Sequence, residues 1–320
     1  MTERTSARLV DAELDVGKAP VRVGGVGVYY RRFFDEADHF QRISAEHTFQ
    51  ALTESVKPST AHRTGLYLTP VTRQADGLHF HLLRCSTNLS GPTENFCATD
   101  HRIIDALNRE AASIFREHAP LNHVLAQLYK NTTEGHKQTK PKISSHADKT
   151  KDMPSNGIMA FCTFYDGLGR LTPLDDFDHG YKGQSGLTKL RFQLKPGASA
   201  ALPEFTLTLY PDSVFFMPLS TNRLYTHEIQ ASMLNAEMLP TRLGYVARCS
   251  KTAAVHKDGT TFLELGDERV PLEPATEQGR LELRAMYASE NKTHAFIDYG
   301  DRFRFSMNDG DYRAPDEKRG

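Results

Sequence analysis

The sequence lacks the features that mark several large classes of protein. No apolar run approaches the roughly 20 residues that a membrane-spanning helix requires, and residues 1–18 contain no apolar signal core. The 39 Lys and Arg residues are balanced by 40 Asp and Glu residues, which excludes a generally basic surface but not a local basic patch. We therefore expect a soluble intracellular protein, cytoplasmic or nuclear, with no membrane contact and no evident protein partner.

Cysteine and glycine are also sparse where cofactor motifs would need them. The 4 cysteines include no CxxC pair, which disfavours a structural zinc site and favours unlinked thiols. Gly24, Gly25 and Gly27 lack a third glycine at dinucleotide spacing, and no phosphate-binding Lys-Ser/Thr follows them. With 39% hydrophobic and 25% charged residues, the chain can still bury a sizeable core, so a wholly disordered protein is excluded.

The apolar spacing predicts a helical N-terminal part followed by many strands. Helical spacing is patchy over residues 34–52 and clear over residues 100–118, and Pro120 stops the second helix. Residues 65–71 and 78–85 alternate as a strand pair would, around an Asp76-Gly77 turn. Strand-like segments then follow at 124–129, 157–165, 189–194, 205–210, 214–217, 225–229, 242–249, 261–265, 280–287 and 293–299. This order predicts a mostly β fold, a sandwich or barrel with helical support.

One group of residues has the spacing of a metal site. His146 and Asp148 are two residues apart, so on a strand both would point to one face, and His227 follows a later strand-like segment. Two imidazoles and one carboxylate on one side of a ferrous ion leave positions for a chelating cosubstrate and O2. The pattern therefore predicts Fe(II) ligands at His146, Asp148 and His227.

The same spacing occurs a second time. A chain with 14 histidines is expected to contain a His-x-Asp match by chance, and His256 and Asp258 form another, followed by His294 and then Arg302 or Arg304. Because Asp258-Gly259 is typical of a hairpin tip, a ligand there would point into solvent. We therefore prefer the first match, which lies within the strand-rich region.

The surrounding sequence resembles a known family over residues 122–250. The pieces that carry the resemblance are a strand ending in a tyrosine (NHVLAQLY, 122–129), the metal strand (ISSHAD, 143–148), the strand after it (157–165), a turn and strand (PDSVFFM, 211–217), the distal histidine segment (NRLYTHEI, 222–229) and an arginine pair (TRLGYVAR, 241–248). In order and spacing, these are similar to the AlkB-like branch of the 2-oxoglutarate- and Fe(II)-dependent dioxygenases.

The resemblance implies a role for each matching residue. It makes His146, Asp148 and His227 the metal ligands and catalytic centre. It places Arg242 on the distal carboxylate of 2-oxoglutarate, Arg248 near the chelating end, and Tyr129 in a hydrogen bond to the cosubstrate. Gln127 stands where the family commonly has asparagine, and so does Gly244. A guanidinium recognises a carboxylate through two parallel hydrogen bonds, which suits Arg242.

The resemblance also implies a fold and a reaction. It implies a double-stranded β-helix (jelly-roll) core over residues 121–250, an N-terminal helical and β substrate lid over 1–120, and a β extension over 251–320, within one compact unit. It implies an oxidoreductase that uses Fe(II), 2-oxoglutarate and O2 for hydroxylation or oxidative demethylation. A nucleobase in nucleic acid or a nucleotide is the expected substrate. A small-molecule hydroxylase and a non-catalytic β-sandwich binding module remain alternatives.

A lysine-rich approach to the metal motif bears on the substrate. Lys137, Lys140 and Lys142 precede His146 in a segment with few acidic residues. Such a run is typical of a solvated loop, but it could also form a rim that attracts phosphate groups. We therefore regard these three lysines as candidate substrate contacts.

Overall fold

The computed structural model describes residues 15–36, 38–53, 60–85 and 89–317, and strands dominate this part of the chain. The strands are β1 (Val21–Val23), β2 (Gly27–Tyr30), β3 (Gln50–Thr53), β4 (Thr60–Thr69), β5 (Thr72–Gln74), β6 (Gly77–Leu82), β7 (Glu94–Asn95), β8 (His123–Tyr129), β9 (Thr132–Glu134), β10 (Lys137–Thr139), β11 (Ile143–His146), β12 (Ile158–Asp166), β13 (Thr172–Pro173), β14 (His179–Tyr181), β15 (Gln184–Ser185), β16 (Lys189–Leu194), β17 (Glu204–Thr208), β18 (Ser213–Pro218), β19 (Tyr225–Gln230), β20 (Thr241–Arg248), β21 (Thr252–Lys257), β22 (Thr260–Leu265) and β23 (Glu268–Pro271). The helices are α1 (His39–Glu46), α2 (Ala98–Ile114), α3 (Leu219–Leu224) and α4 (Glu277–Lys292). Across these described ranges, none of the helices combines the length and apolar character needed to span a membrane.

Eight strands form the centre of the molecule as two packed antiparallel sheets. The larger sheet contains the order β18-β12-β20-β8, and the smaller sheet has the order β11-β19-β16-β17. Except at the β16–β17 hairpin, consecutive strands of this set alternate between the two sheets. This connectivity is that of a double-stranded β-helix, so the predicted mostly β fold with a jelly-roll core is confirmed.

A hydrophobic core fills the space between the two sheets. The larger sheet contributes Met159, Phe161, Phe215 and Met217, and the smaller sheet contributes Leu190, Phe192, Tyr225 and Ile229. Strand β12 is buried on both faces, because the helices cover its outer side. Its nearly continuous apolar sequence, IMAFCTFY, is what a strand covered on both faces requires.

Helices α1 and α2 form a layer on the outer face of the larger sheet. Helix α2 buries Ile103, Leu107 and Ala111, which recur every four residues, against residues of β12 and β20. At its beginning, the Asp100 carboxylate accepts a hydrogen bond from the Cys97 N–H at 2.8 Å. Both predicted helices are therefore present, each shorter than its sequence pattern suggested.

The predicted pairing of residues 65–71 with 78–85 is wrong. The first segment belongs to β4, which joins the larger sheet beside β8, whereas β6 pairs with β5 and β21 in a separate five-stranded sheet. The Asp76-Gly77 turn is present, but it connects β6 to the short β5. Alternation identifies a strand without identifying its neighbour, and the three residues of β5 were too few to form a recognisable pattern.

The C-terminal region differs most from the sequence prediction. Residues 280–287, predicted as a strand, lie within α4, and residues 293–299 contain no strand. The Thr276 side chain accepts a hydrogen bond from the Gly279 N–H and so caps the helix. Leu283, Tyr287 and Glu290 form its buried stripe, whereas Leu281, which suggested strand alternation, is 55% exposed. Only β21, β22 and β23 give this region a β character.

Candidate metal and cosubstrate site

The three residues predicted as metal ligands lie together at one end of the smaller sheet. His146 is the last residue of β11 and is the direct cross-strand partner of His227 on β19. Their ring centroids are 4.4 Å apart. The Asp148 Oδ1 atom is 3.4 Å from His146 Nε2 and 3.9 Å from His227 Nε2. One donor atom from each residue lies within 4.8 Å of the others, so the three can converge on a single metal ion.

The structural basis for this geometry differs in part from the sequence argument. Strand β11 ends at His146, so Asp148 lies in the loop beyond it rather than on the same strand face. Asn222 fixes that loop, because its Oδ1 accepts a hydrogen bond from the Asp148 N–H at 2.8 Å and its Nδ2 donates to the Asp148 carbonyl at 2.9 Å. His227 comes from the neighbouring strand of the same sheet, not from a facing one.

The protonation states suit metal binding. His146 Nδ1 lies 2.9 Å from the Ser144 carbonyl oxygen, so this nitrogen donates and leaves Nε2 as the ligand atom. Burial, together with repulsion from His146, lowers the pKa of His227 to about 3, and its imidazole is therefore neutral. Burial alone would raise the pKa of Asp148, but Arg248 and the two histidines hold it well below its usual value. The site therefore offers the ionised Asp148 carboxylate, the neutral His227 imidazole and the Nε2 atom of His146.

Arg248 contacts a ligand residue directly. One of its terminal nitrogens lies 2.9 Å from Asp148 Oδ2, and both side chains are buried. This ion pair holds the outer oxygen of the carboxylate and leaves Oδ1 turned towards the histidines. The resemblance placed Arg248 near the chelating end of the cosubstrate, and the structure gives it this additional partner.

Arg242 is buried without a neutralising partner. It is 4% exposed, its Cζ lies 4.0 Å from the ring centroid of Tyr129, and no carboxylate of the described residues pairs with it. The Tyr129 hydroxyl donates a hydrogen bond to Gln127 Oε1 at 2.9 Å. At Gly244, a Cβ atom would lie 2.8 Å from Arg242 Nη1, so the glycine leaves room for the guanidinium. A buried cation of this kind calls for an anion.

These groups share one cavity of about 850 Å³ between the two sheets. His146, Asp148 and His227 line it on one side, while Gln127, Tyr129, Arg242 and Arg248 line it from the larger sheet. The lining residues that were not predicted from the sequence include Arg63, Arg284, Tyr287 and Asn291. Helix capping at Thr276 and the four-residue spacing of Leu283 and Tyr287 could have placed the last three on a helix, but no sequence signal brings that helix, or Arg63, to the cavity.

The three candidate lysines occupy different environments. Lys142 lines the cavity. The Lys140 ammonium instead donates to the carbonyl oxygens of Ser232 at 3.0 Å and Leu234 at 3.1 Å. Lys137 is exposed on β10 and does not line the cavity. The structure therefore does not gather the three ammonium groups into a single rim.

Helix α4 holds the loop that contains Asp148. Asn291 Oδ1 accepts a hydrogen bond from the Ala147 N–H at 2.8 Å and another from Lys149 Nζ at 3.1 Å. Glu290 Oε1 accepts a hydrogen bond from the Thr150 N–H at 3.2 Å. Helix α4 is thus attached to the backbone between the candidate ligands His146 and Asp148, at Ala147, and just after them, at Thr150.

The second His-x-Asp match does not form a comparable site. His256 lies on β21 and Asp258 at the following turn, and neither joins a cluster of potential metal ligands among the residues that the structure describes. One other cluster exists, formed by Glu46, His47, Cys97 and Asp100. There, both ring nitrogens of His47 already bind carboxylates, those of Glu94 at 2.8 Å and Asp100 at 2.7 Å. We interpret this cluster as a buried ion-pair network.

Comparisons with known proteins give distant structural likenesses. The chain matches no protein-family model and no curated protein. It is similar to the solved structure of OsALKBH1, with 12% identity, 72% of this chain and 98% of that chain covered, and a TM-score of 0.43. It is also similar to SnoN, a non-heme alpha-ketoglutarate-dependent epimerase from nogalamycin biosynthesis (12% identity, 79% and 89% covered, TM-score 0.42). A third similar structure is a Pseudomonas putida prolyl-4-hydroxylase (12% identity, 69% of this chain and 90% of that chain covered, TM-score 0.36). At this level the likeness shows neither the substrate nor the reaction of this chain.

Proposed function

We propose that this chain is an Fe(II)- and 2-oxoglutarate-dependent dioxygenase that oxidises a C–H bond of its substrate. The observation that carries the proposal is the buried Arg242 guanidinium, which has no carboxylate partner among the described residues. It lines the same cavity as the His146, Asp148 and His227 group. A metal-ligand set and a buried anion site in one cavity are what a chelating dicarboxylate requires.

The ligand set fits a ferrous ion. Two imidazoles and one carboxylate form the facial arrangement that leaves coordination positions open for other ligands. In this chain His146 Nε2, Asp148 Oδ1 and His227 Nε2 would bind the metal. The Ser144 carbonyl and Arg248 orient His146 and Asp148 from behind.

The cavity wall fits 2-oxoglutarate. Arg242 would bind the carboxylate far from the metal, and Tyr129, which stacks under the guanidinium, holds it in place. Gln127 Oε1 accepts a hydrogen bond from the Tyr129 hydroxyl and so fixes the direction of the phenol. When bound together, Fe(II) and 2-oxoglutarate would activate O2 for oxidation of the substrate, with release of succinate and CO2. The chain's own residues bind and orient these groups and shield them from water.

The substrate side of the proposal has two candidates. The AlkB-like resemblance favours a nucleobase in nucleic acid or a nucleotide, which would be hydroxylated or demethylated. A small-molecule hydroxylase is favoured by two observations: Lys137 and Lys140 do not line the cavity, and its volume lies in the range of small-molecule sites. We also propose that residues 1–120, 121–250 and 251–320 act as lid, catalytic core and extension of one unit.

Succinate release from Fe(II)-loaded protein supplied with 2-oxoglutarate and O2 tests this function. We expect His146→Ala and His227→Ala to abolish release, because each removes a ligand, and His256→Ala to leave it unchanged. Equal losses in all three variants would reject the chosen triad. Absence of succinate together with absence of metal binding would favour the non-catalytic β-sandwich module.

A further inference from the structure

The cavity around the candidate metal site carries much more positive than negative charge. Among the residues that the structure describes, six cationic side chains line it against one carboxylate, that of Asp148. Arg248 pairs with Asp148 at 2.9 Å, and Lys149 donates to Asn291 and to two carbonyl oxygens. Arg242 is assigned to the cosubstrate. The three cations that remain are Arg63, Lys142 and Arg284, and no carboxylate of the described residues pairs with any of them.

Arg63 lies beside the proposed cosubstrate pocket. It precedes Gly65 by two residues on β4, so both are on the same face of the strand, and Gly65 is paired with Gln127 on β8. Continuing that register places Arg63 opposite Tyr129 on β8, and Tyr129 is opposite Arg242 on β20. Arg63 and Arg242 are therefore two strands apart, a separation of about 10 Å. Arg63 is half-buried, and its Nε is buried without a hydrogen-bond partner. It is therefore an arginine inside the cavity, not a surface cation.

The other two cations lie at the edge of the cavity. Arg284, Tyr287, Ala288 and Asn291 recur at intervals of three and four residues, and all four line the cavity, so this face of α4 is one of its walls. Arg284 is exposed on that wall, and Lys142 is exposed next to β11. The positive charge thus runs from the exposed edge to the interior.

We propose that the substrate is a small acidic molecule whose carboxylate or phosphate group binds Arg63, with Arg284 and Lys142 attracting it at the cavity edge. This inference rests on the proposed dioxygenase function and specifies its substrate class. A guanidinium binds either oxyanion through two hydrogen bonds. The phosphate backbone of a nucleic acid is met mainly by surface cations, whereas Arg63 is half-buried in a cavity of about 850 Å³.

The test uses protein loaded with Mn(II) and saturated with 2-oxoglutarate, so that Arg242 is occupied and no turnover occurs. Calorimetry measures the binding of benzoate and phenylphosphonate, each compared with its neutral counterpart, benzamide or dimethyl phenylphosphonate.

We expect at least one acid to bind and its neutral counterpart not to bind. Arg63→Gln should weaken that acid about tenfold or more, and Arg63→Lys should weaken it less. Arg116→Gln, an exposed control, should change nothing. The two acids distinguish a carboxylate from a phosphate substrate.

Several results would overturn this inference. The first is that neither acid binds, and the second is that an acid binds equally well to the wild type and to both Arg63 variants. The third is that a single-stranded oligonucleotide binds instead, with a steep salt dependence that Lys137→Gln and Lys140→Gln reduce and Arg63→Gln does not. The same samples separate this failure from that of the proposed function. If 2-oxoglutarate itself does not bind, the dioxygenase proposal fails. If 2-oxoglutarate binds but the affinity for the acids does not change when Arg63 is replaced, only the proposed substrate class is wrong.

Discussion

Arg242 shows how a single residue can indicate a ligand. Removing a guanidinium from water costs several kcal/mol unless a partner compensates, and the described residues supply Arg242 only with the face of the Tyr129 ring. Folding tolerates such a cost where function requires the charge. Position 244 supports this view, because the glycine leaves space that a side chain would take from the guanidinium.

Replacing Arg242 tests its role as the carboxylate anchor. Arg242→Lys keeps the charge but loses the planar pair of donors, so we expect binding of 2-oxoglutarate to lose about 1.5–3 kcal/mol. This loss corresponds to a rise in the KM for 2-oxoglutarate of roughly tenfold to hundredfold. The measurement is succinate release against 2-oxoglutarate concentration, with Arg116→Lys as the matched control. An unchanged KM would move the anchoring role elsewhere, with Arg248 the next candidate.

Gly244→Ala tests the close approach directly. The added methyl group would lie 2.8 Å from Arg242 Nη1 and must displace the flexible end of that side chain, not the backbone. We therefore expect a melting temperature near that of the wild type and a clearly weaker affinity for 2-oxoglutarate. Equal affinity in both proteins would show that the guanidinium does not need its observed position.

At the scale of single residues, the sequence indicated the candidate metal ligands but not the candidate substrate contacts. His146, Asp148 and His227 could be proposed because two-residue spacing and the flanking motifs are local. Arg63 and Arg284 could not, because their importance arises only when β4 and α4 meet the same cavity. The orienting contacts of Asn222 depend in the same way on a loop and a distant helix coming together.

Two elements bring the ligand residues into place. The β11–β19 pairing sets His146 opposite His227, and α4 holds the loop beyond His146 through Asn291 and Glu290. The strands of the jelly-roll could be predicted because alternation is a local signal. Helix α4 was not predicted, because the strand-like alternation of Leu281 and Leu283 masked the helix signals, which are the Thr276 cap and the four-residue spacing of Leu283 and Tyr287.

Asn291→Ala tests the attachment of α4 to the metal loop. The substitution leaves the Ala147 N–H without its acceptor and removes the shortest hydrogen bond of Lys149, so Asp148 should be held less firmly. We expect metal affinity to fall by roughly tenfold or more, as for other residues that orient metal ligands. Lys292→Ala, an exposed neighbour on the same helix, is the control. If metal titration gives the same Kd for both variants, α4 does not position the site.

The described part of the chain is layered, with α1 and α2 outside the larger sheet, the jelly-roll within, and the cavity between its sheets. A buried network joins the helical layer to this sheet: His47 binds Glu94 and Asp100, and Asp100 accepts a hydrogen bond from the Tyr245 hydroxyl at 2.9 Å. Burial opposes the charge on His47, but the two carboxylates prevail and raise its pKa to about 9. The protonated ring therefore stabilises the fold.

This network predicts a pH-dependent stability. Because the pKa of His47 is higher in the folded state than the ordinary 6.5, its contribution is complete below about pH 6.5 and is lost as the pH rises through about 9. His47→Gln should therefore lower the free energy of unfolding by about 1–3 kcal/mol at pH 6, and by less at pH 9.5. Chemical denaturation at both pH values measures this, with the exposed His62→Gln as control. A difference that does not change with pH would contradict the assignment.

We predict that the His146, Asp148 and His227 group and Arg242 bind one cosubstrate together. Calorimetric titration of 2-oxoglutarate into the protein without oxygen, with and without Fe(II), tests it most directly. We predict one equivalent bound in the presence of Fe(II), much weaker binding without the metal, and weakened binding in both His227→Ala and Arg242→Gln. Binding that is equally tight without the metal, or that is unaffected by Arg242→Gln, would contradict the claim.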